Sequence, residues 1–380
     1  MTSRERLLAV LNGKIPDHVP VMPDLSNMIP AKMTGKPFWD VYLYQDPPLW
    51  KAYIDCVKYF RFDSLWDAYF VAIALDSDGL GLENHDVKTA VVFKDEEKLV
   101  TQKFEYRNGK KKWAEAVDVY YAANPPVMGV RPFVARLPKE PDKYEVLEDA
   151  NRGPTGEGLL KLIKSELGDS GLVGITCGTT KLIHDEQGIY DFYDDPQKYY
   201  GLRDRLLAHY ENMFMKIISL FCKPDFVSTG GSGTLIHQSP QTFRELGLPI
   251  VKKITSLAKE HGLPSHIHSC GPEKELVRIC AEETDLTIID PLEVPPMGDC
   301  DLKELKQRYG DKLVLKGNLH TTAVMLHGSA KDVIEASKRA IDDAAEGGRF
   351  ILSTGDQCGR DTPFDNIFAM IDTAKTYGKY

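Results

Sequence analysis

His268 and Cys270 stand two positions apart in the run Pro264-Ser265-His266-Ile267-His268-Ser269-Cys270-Gly271. The run reads as a short strand closed by a glycine turn, with a helix beginning at Pro272. Side chains alternate faces along a strand, so His266, His268 and Cys270 would point the same way. An imidazole and a thiolate placed like this at a strand end can reach one metal ion. A further cysteine, Cys358, lies far downstream in Thr354-Gly355-Asp356-Gln357-Cys358-Gly359. Three ligands of His and Cys type with one position open form a catalytic zinc site. The competing reading makes each cysteine a small buried apolar residue, which free cysteines usually are. Spacing alone does not decide, because no local C-x2-C pair occurs. A structural zinc is the weaker alternative, since no fourth ligand is evident and a chain this large folds without metal.

His266 faces the same way but one layer deeper. It reads as a hydrogen-bonded supporting histidine rather than a ligand, because ligating groups need a partner that fixes their orientation. Asp290, Glu293 and Asp356 are candidates for that supporting role, or for a fourth ligand. Asn318 and His320 could hydrogen-bond a substrate, with ordinary loop capping as the alternative. Trp66, Asp67 and Tyr69 close a strand and, with Phe70, could wall a substrate pocket. Plain core packing competes for each aromatic ring.

These residues need elements to position them. Strands are expected to end near 22, 67, 176, 229, 268, 290, 317 and 353, mostly alternating with helices. Eight such units predict an α/β fold, a (β/α)8 TIM barrel spanning 1–380 as one domain, with the site at the carboxyl ends of the strands. Between 80 and 150 the rhythm changes. Lys88–Phe93, Lys98–Tyr106 and Lys112–Tyr120 read as antiparallel strands, so a small β-rich insertion after the second strand should pack on the barrel. Ser3 is expected to cap the first helix, residues 23–48 to be loop-like, and one helix to run from Pro240 to His261 with a kink at Pro249.

Composition excludes other classes. The formal charge of −9, from 47 basic and 56 acidic residues, argues against a nucleic-acid partner. No apolar run reaches the ~18 residues a membrane helix needs, and the start lacks a signal-peptide core. Seven cysteines, odd in number and widely spread, suggest reduced thiols in a cytoplasmic protein.

The chain resembles the uroporphyrinogen decarboxylase superfamily, and within it the zinc-dependent corrinoid methyltransferases. Four stretches carry the likeness: Thr2-Ser3-Arg4-Glu5-Arg6-Leu7-Leu8 through Val19-Pro20-Val21; Tyr193-Asp194-Asp195-Pro196; His268-Ser269-Cys270-Gly271; and Lys316-Gly317-Asn318-Leu319 with the distant Cys358-Gly359. The resemblance implies the same barrel, with the family's His-x-Cys and distant Cys metal motif falling on His268, Cys270 and Cys358. The decarboxylases carry a pair of arginines shortly after the first strand to grip a polycarboxylate. No arginine occurs here between Arg6 and Arg61, so the bidentate partners of such a substrate are missing. The resemblance therefore implies methyl transfer with zinc as cofactor and cobalamin or another corrinoid carried on a separate partner protein, since no Asp-x-His-x-x-Gly corrinoid motif is present. In the favoured direction a small methylated donor, a methoxylated aromatic, gives its methyl group to cobalt. The alternative is a methylcorrinoid:thiol methyltransferase, and more distant ones are a decarboxylase-type lyase and a barrel kept only for binding. A homodimer is an expectation that spacing and composition do not test.

Overall fold

The computed structural model describes residues 1–67, 87–107, 109–124, 133–136, 141–147 and 154–380. Eight parallel strands form its main sheet: β1 (Val21–Met22), β2 (Ser64–Asp67), β8 (Gly171–Thr176), β9 (Phe226–Ser228), β10 (Ser265–His268), β11 (Ile288–Asp290), β12 (Val314–Leu319) and β13 (Phe350–Thr354). Their order is β1-β13-β12-β11-β10-β9-β8-β2, so each strand from β8 onward lies beside the next in sequence. The seam between β1 and β2 is bridged at Asp63, whose N–H donates to Val21 O at 2.9 Å and whose Oδ2 accepts from the Val21 N–H at 2.9 Å. The result is a nearly closed TIM-type barrel, with strand ends within two residues of those expected.

The strands are largely buried on both faces because helices cover the outside and side-chain layers fill the inside. Every residue of β12 and β13 is buried. The helices bury one stripe each: in Ala330–Ala344, Val333, Ser337, Ala340, Ile341 and Ala344 face inward, at helical spacing. Ser329 opens that helix with a capping box to Asp332.

A second sheet is antiparallel, in the order β6-β5-β4-β3-β7. It comprises β3 (Val87–Lys94), β4 (Lys98–Arg107), β5 (Lys110–Tyr121), β6 (Phe133–Arg136) and β7 (Glu145–Val146). The first three match the expected insertion strands, and the two short ones were not anticipated. Val91, Leu99 and Tyr120 of this sheet pack with Phe38, Trp39, Val41 and Tyr42 in a small separate core.

Local expectations need three corrections. Thr2, not Ser3, caps the first helix, through a capping box with Glu5. Residues 23–48 are not all loop: Met28–Met33 and Phe38–Tyr42 are short helices, each under two turns and so too short to show periodicity. The helix expected from Pro240 to His261 is two helices, Pro240–Leu246 and Leu248–Glu260. The break falls at Gly247, where an added Cβ would lie 2.0 Å from the Thr180 carbonyl oxygen. Pro249 then stands in the first turn of the second helix, where its missing N–H costs nothing. Among the described residues no helix is long and apolar enough to cross a membrane, and all seven cysteines are free.

Candidate metal centre

Strand β10 presents His266 and His268 on one face, and both rings meet the same oxygen from the neighbouring β11. His266 Nε2 lies 3.1 Å and His268 Nδ1 3.0 Å from Asp290 Oδ1. This follows from the parallel register, which pairs His266 with Ile288 and His268 with Asp290. The other carboxylate oxygen, Oδ2, accepts from Lys316 Nζ of β12. Asp290 and Lys316 are both buried. Burial alone would raise the Asp290 carboxyl, but Lys316, His266 and His268 outweigh it and hold the group well below the usual carboxylate range.

The Asp290 bond takes up one nitrogen of His268 and leaves Nε2 facing the site, 3.7 Å from Asp356 Oδ1. Burial works against a charged imidazole there, yet Asp290, Asp356 and Asp24 outweigh it and push the His268 pKa up to about 9. The local field thus strongly favours positive charge. Beyond β10, ligand atoms of Cys270, Glu293 and Asp356 all lie within 4.8 Å of one another. Burial, then Asp356, pushes the Cys270 thiol up. Burial, then Asp356, likewise raises Glu293, against the lowering effect of the Gly271 N–H.

Backbone contacts hold these groups in place. Glu293 Oε2 accepts from the Gly271 N–H at 2.6 Å, which ties the turn after Cys270 to the loop after β11. Ser269 Oγ donates to Thr234 Oγ1 at 2.8 Å and accepts from the Thr234 N–H at 3.0 Å, which fixes the loop after β9 against the same turn. Asp356 has φ +134°, strained for a residue with a side chain, and its carboxylate reaches the cluster. Cys358 is fully buried, and burial pushes its thiol up to about 12. Its N–H donates to Asp24 O at 2.7 Å, and Asp24 and Asp356 both act on its sulfur.

The ligand set read from sequence, His268, Cys270 and Cys358, shares Cys270 with the three-residue cluster. His268 and Cys358 stand outside that cluster, His268 reaching it only at Asp356. The thiol and two carboxylates of the cluster, with an imidazole oriented by a carboxylate beside it, are ligand types that zinc accepts. The other sequence candidates are placed as follows. Asn318 Nδ2 donates to Leu292 O at 3.0 Å, bracing the loop after β11. His320 Nδ1 accepts from the N–H groups of Thr322 and Ala323, each at 3.2 Å, and so caps the turn Thr321–Leu326. Trp66 stacks on Tyr53, with ring centroids 4.4 Å apart. The Asp67 side chain, Tyr69 and Phe70 lie outside the described residues.

One contributor escaped the sequence reading, and another, Arg360, was read only as one of the polar groups at the strand ends. Lys316 was visible as a lone lysine in the apolar run Leu313-Val314-Leu315, but only strand pairing shows what it meets. Arg360, two residues past Cys358, donates to Ala123 O and Asn124 Oδ1, fastening the end of β5 to the loop after β13.

Residues 191–377 match the uroporphyrinogen decarboxylase (URO-D) family. Over 135 residues the chain is 29% identical to the methylcobamide:CoM methyltransferase MtbA of Methanosarcina acetivorans, covering 36% of this chain and 37% of that protein. The protein of the same name from Methanosarcina mazei is 28% identical over 137 residues, with 36% and 37% covered. The alignments thus span little more than a third of these curated relatives. A solved structure of a methyltransferase from Methanosarcina mazei superposes with a TM-score of 0.62 at 15% identity over 99% of both chains, a likeness of fold.

Proposed function

With residues 191–377 a uroporphyrinogen decarboxylase family domain, we propose that this chain is a zinc-dependent methyltransferase working between a small molecule and the cobalt of a separate corrinoid protein. The observation that carries the reading is His268, oriented by Asp290, standing 3.7 Å from Asp356, which clusters with Cys270 and Glu293 at the carboxyl ends of the barrel strands. His268 and Cys270 would hold the metal with Cys358, and Glu293 or Asp356 would supply a displaceable fourth donor. Zinc bound there supplies Lewis acidity toward an ether oxygen or a thiol sulfur.

The protein's own groups set the conditions for that chemistry. Asp290 accepts the Nδ1 proton of His268, which keeps Nε2 as the ligating nitrogen. Lys316 and His266 share the Asp290 carboxylate and offset its charge. Glu293 clamps the Gly271 turn, so that Cys270 keeps its direction. The site lies at the strand ends with buried carboxylates around it, a setting that disfavours an anionic polycarboxylate and agrees with the missing arginine pair.

The first reading of direction is demethylation of a methoxylated aromatic, with Trp66 of β2, stacked on Tyr53 of the helix Leu49–Phe60, as the aromatic group nearest the end of that strand. A second reading, methylation of a thiol from methylcorrinoid, is favoured by the printed name of the MtbA relatives. Purified protein should contain about one zinc per chain, lost in a Cys270→Ala/Cys358→Ala variant; zinc-free protein prepared without chelator would sink the reading. Mixed with reduced corrinoid protein and methoxylated aromatics, the enzyme should change the cobalt absorbance. Silence there, with turnover of methylcobalamin and a thiol, would establish the second direction. No methyl transfer in either assay would reject both.

A further inference from the structure

A cavity of about 490 Å³ opens at the amino ends of β10 to β13, on the face of the barrel opposite the metal centre. Its walls include Pro264, Thr287, Leu313 and Arg349, which immediately precede those four strands. Conserved features on this face of a TIM barrel ordinarily serve stability rather than chemistry. Here three observations set the cavity apart.

The first is charge. Arg349 and Lys312 line the cavity, and neither side chain has a hydrogen-bond or ion-pair partner among the described residues, in a chain of net charge −9. The only carboxylate among the lining residues, Asp285, is taken by Lys259 at 2.5 Å. Lys306 lies close enough to Arg349 that its amine is pulled down, first by burial and then by that guanidinium, with Glu346 opposing. The second is backbone strain. Arg349 sits at φ +54°, a left-handed conformation costly for a residue with a side chain. Gly13 makes room for it, since a Cβ there would meet Arg349 Nη2 at 2.4 Å. The third is shape. The volume falls within the range of small-molecule sites, and Leu11, Leu263 and Leu313 give the cavity apolar walls beneath its cations.

We propose that this cavity is a second ligand site, which takes a small oxyanion, phosphate or carboxylate, through Arg349 and Lys312. A guanidinium held against one wall and an ammonium on another suit charge-assisted bonds to such a group, and the leucines would cover an apolar body attached to it. A strained arginine that satisfies no internal partner is what a binding site keeps at the expense of stability.

Thermal melting of the 380-residue chain as purified tests this at constant ionic strength, with sodium phosphate or sodium benzoate replacing sodium chloride. At least one oxyanion should raise the melting temperature saturably. Arg349→Gly should weaken its apparent affinity by about tenfold or more while melting no lower than wild type in chloride, because glycine relieves the left-handed strain. Lys312→Met, an exposed position, should weaken binding without altering the fold and carries the test if Arg349→Gly unfolds. Lys331→Met, a charge-matched control on the helix Ala330–Ala344 and outside the cavity lining, should leave binding unchanged. A response to phosphate alone identifies a phosphoryl ligand, and one to benzoate alone a carboxylate on an apolar body. No saturable shift with either anion, or a shift that survives in both Arg349→Gly and Lys312→Met, overturns the proposal.

Discussion

Asp290 takes two imidazoles on one oxygen and an ammonium on the other, and of these partners His266 and Lys316 are buried with it while His268 is half-buried. Its role in orienting His268 predicts that Asp290→Asn binds zinc about 10–100-fold more weakly, measured by chelator competition. Unchanged affinity would show that His268 needs no carboxylate partner. Lys316 is the compensating charge. Lys316→Met should cost about 3–5 kcal/mol in urea unfolding, because it leaves Asp290 buried with less compensation. The double variant Lys316→Met/Asp290→Asn should recover part of that loss, and additive losses would refute the coupling. From sequence, the His-x-Cys spacing and the possible supporting role of Asp290 were legible. The lysine was not, since a residue 26 positions from Asp290 meets it only through strand pairing. Glu293 and Asp356 were legible as candidates for the same role, but their approach to Cys270 depends on how three loops fold over the barrel rim.

At the scale of elements, strands announced themselves well and short helices poorly. Buried parallel strands are near-continuous apolar runs, so β8 and most of β13 stand out in the sequence. A helix of five or six residues spans too few turns to show a stripe, which is why Met28–Met33 and Phe38–Tyr42 read as loop. Gly247 shows how tertiary contact sets a boundary that propensity cannot. The Thr180 carbonyl oxygen occupies the place of a side chain there. Gly247→Ala should therefore lose about 1–3 kcal/mol by forcing backbone apart, read from the denaturation midpoint. A helix propensity gain with no loss would mean that the two segments can part without cost.

Across the whole molecule, Asp225 ties the chain's beginning to the barrel. Its carboxylate accepts from Arg4 at 2.6 and 3.1 Å, from Lys164 at 2.9 Å and from the Val173 N–H at 2.9 Å. Burial would raise its pKa, but Arg4, Val173 and Lys164 outweigh it and lower it. A depressed folded-state pKa contributes stability above the unfolded value of about 3.9, and that contribution is lost as pH falls through the folded value. The urea midpoint should thus fall below about pH 4. Asp225→Asn should be less stable at neutral pH and show a shallower acid decline. An identical acid slope in wild type and variant would remove Asp225 from the account.

The amino-acid sequence by itself determined the barrel, the antiparallel insertion and the His268, Cys270, Cys358 pattern, because hydrophobic period and residue spacing are local properties of the chain. Tertiary structure alone decided that Lys316 and His266 converge on Asp290, that Glu293 and Asp356 join Cys270, and that Arg349 faces a cavity at the opposite end. Each of those meetings joins residues on different strands or loops. Their distance in space is set by strand register and loop packing, which no count of positions along the chain contains.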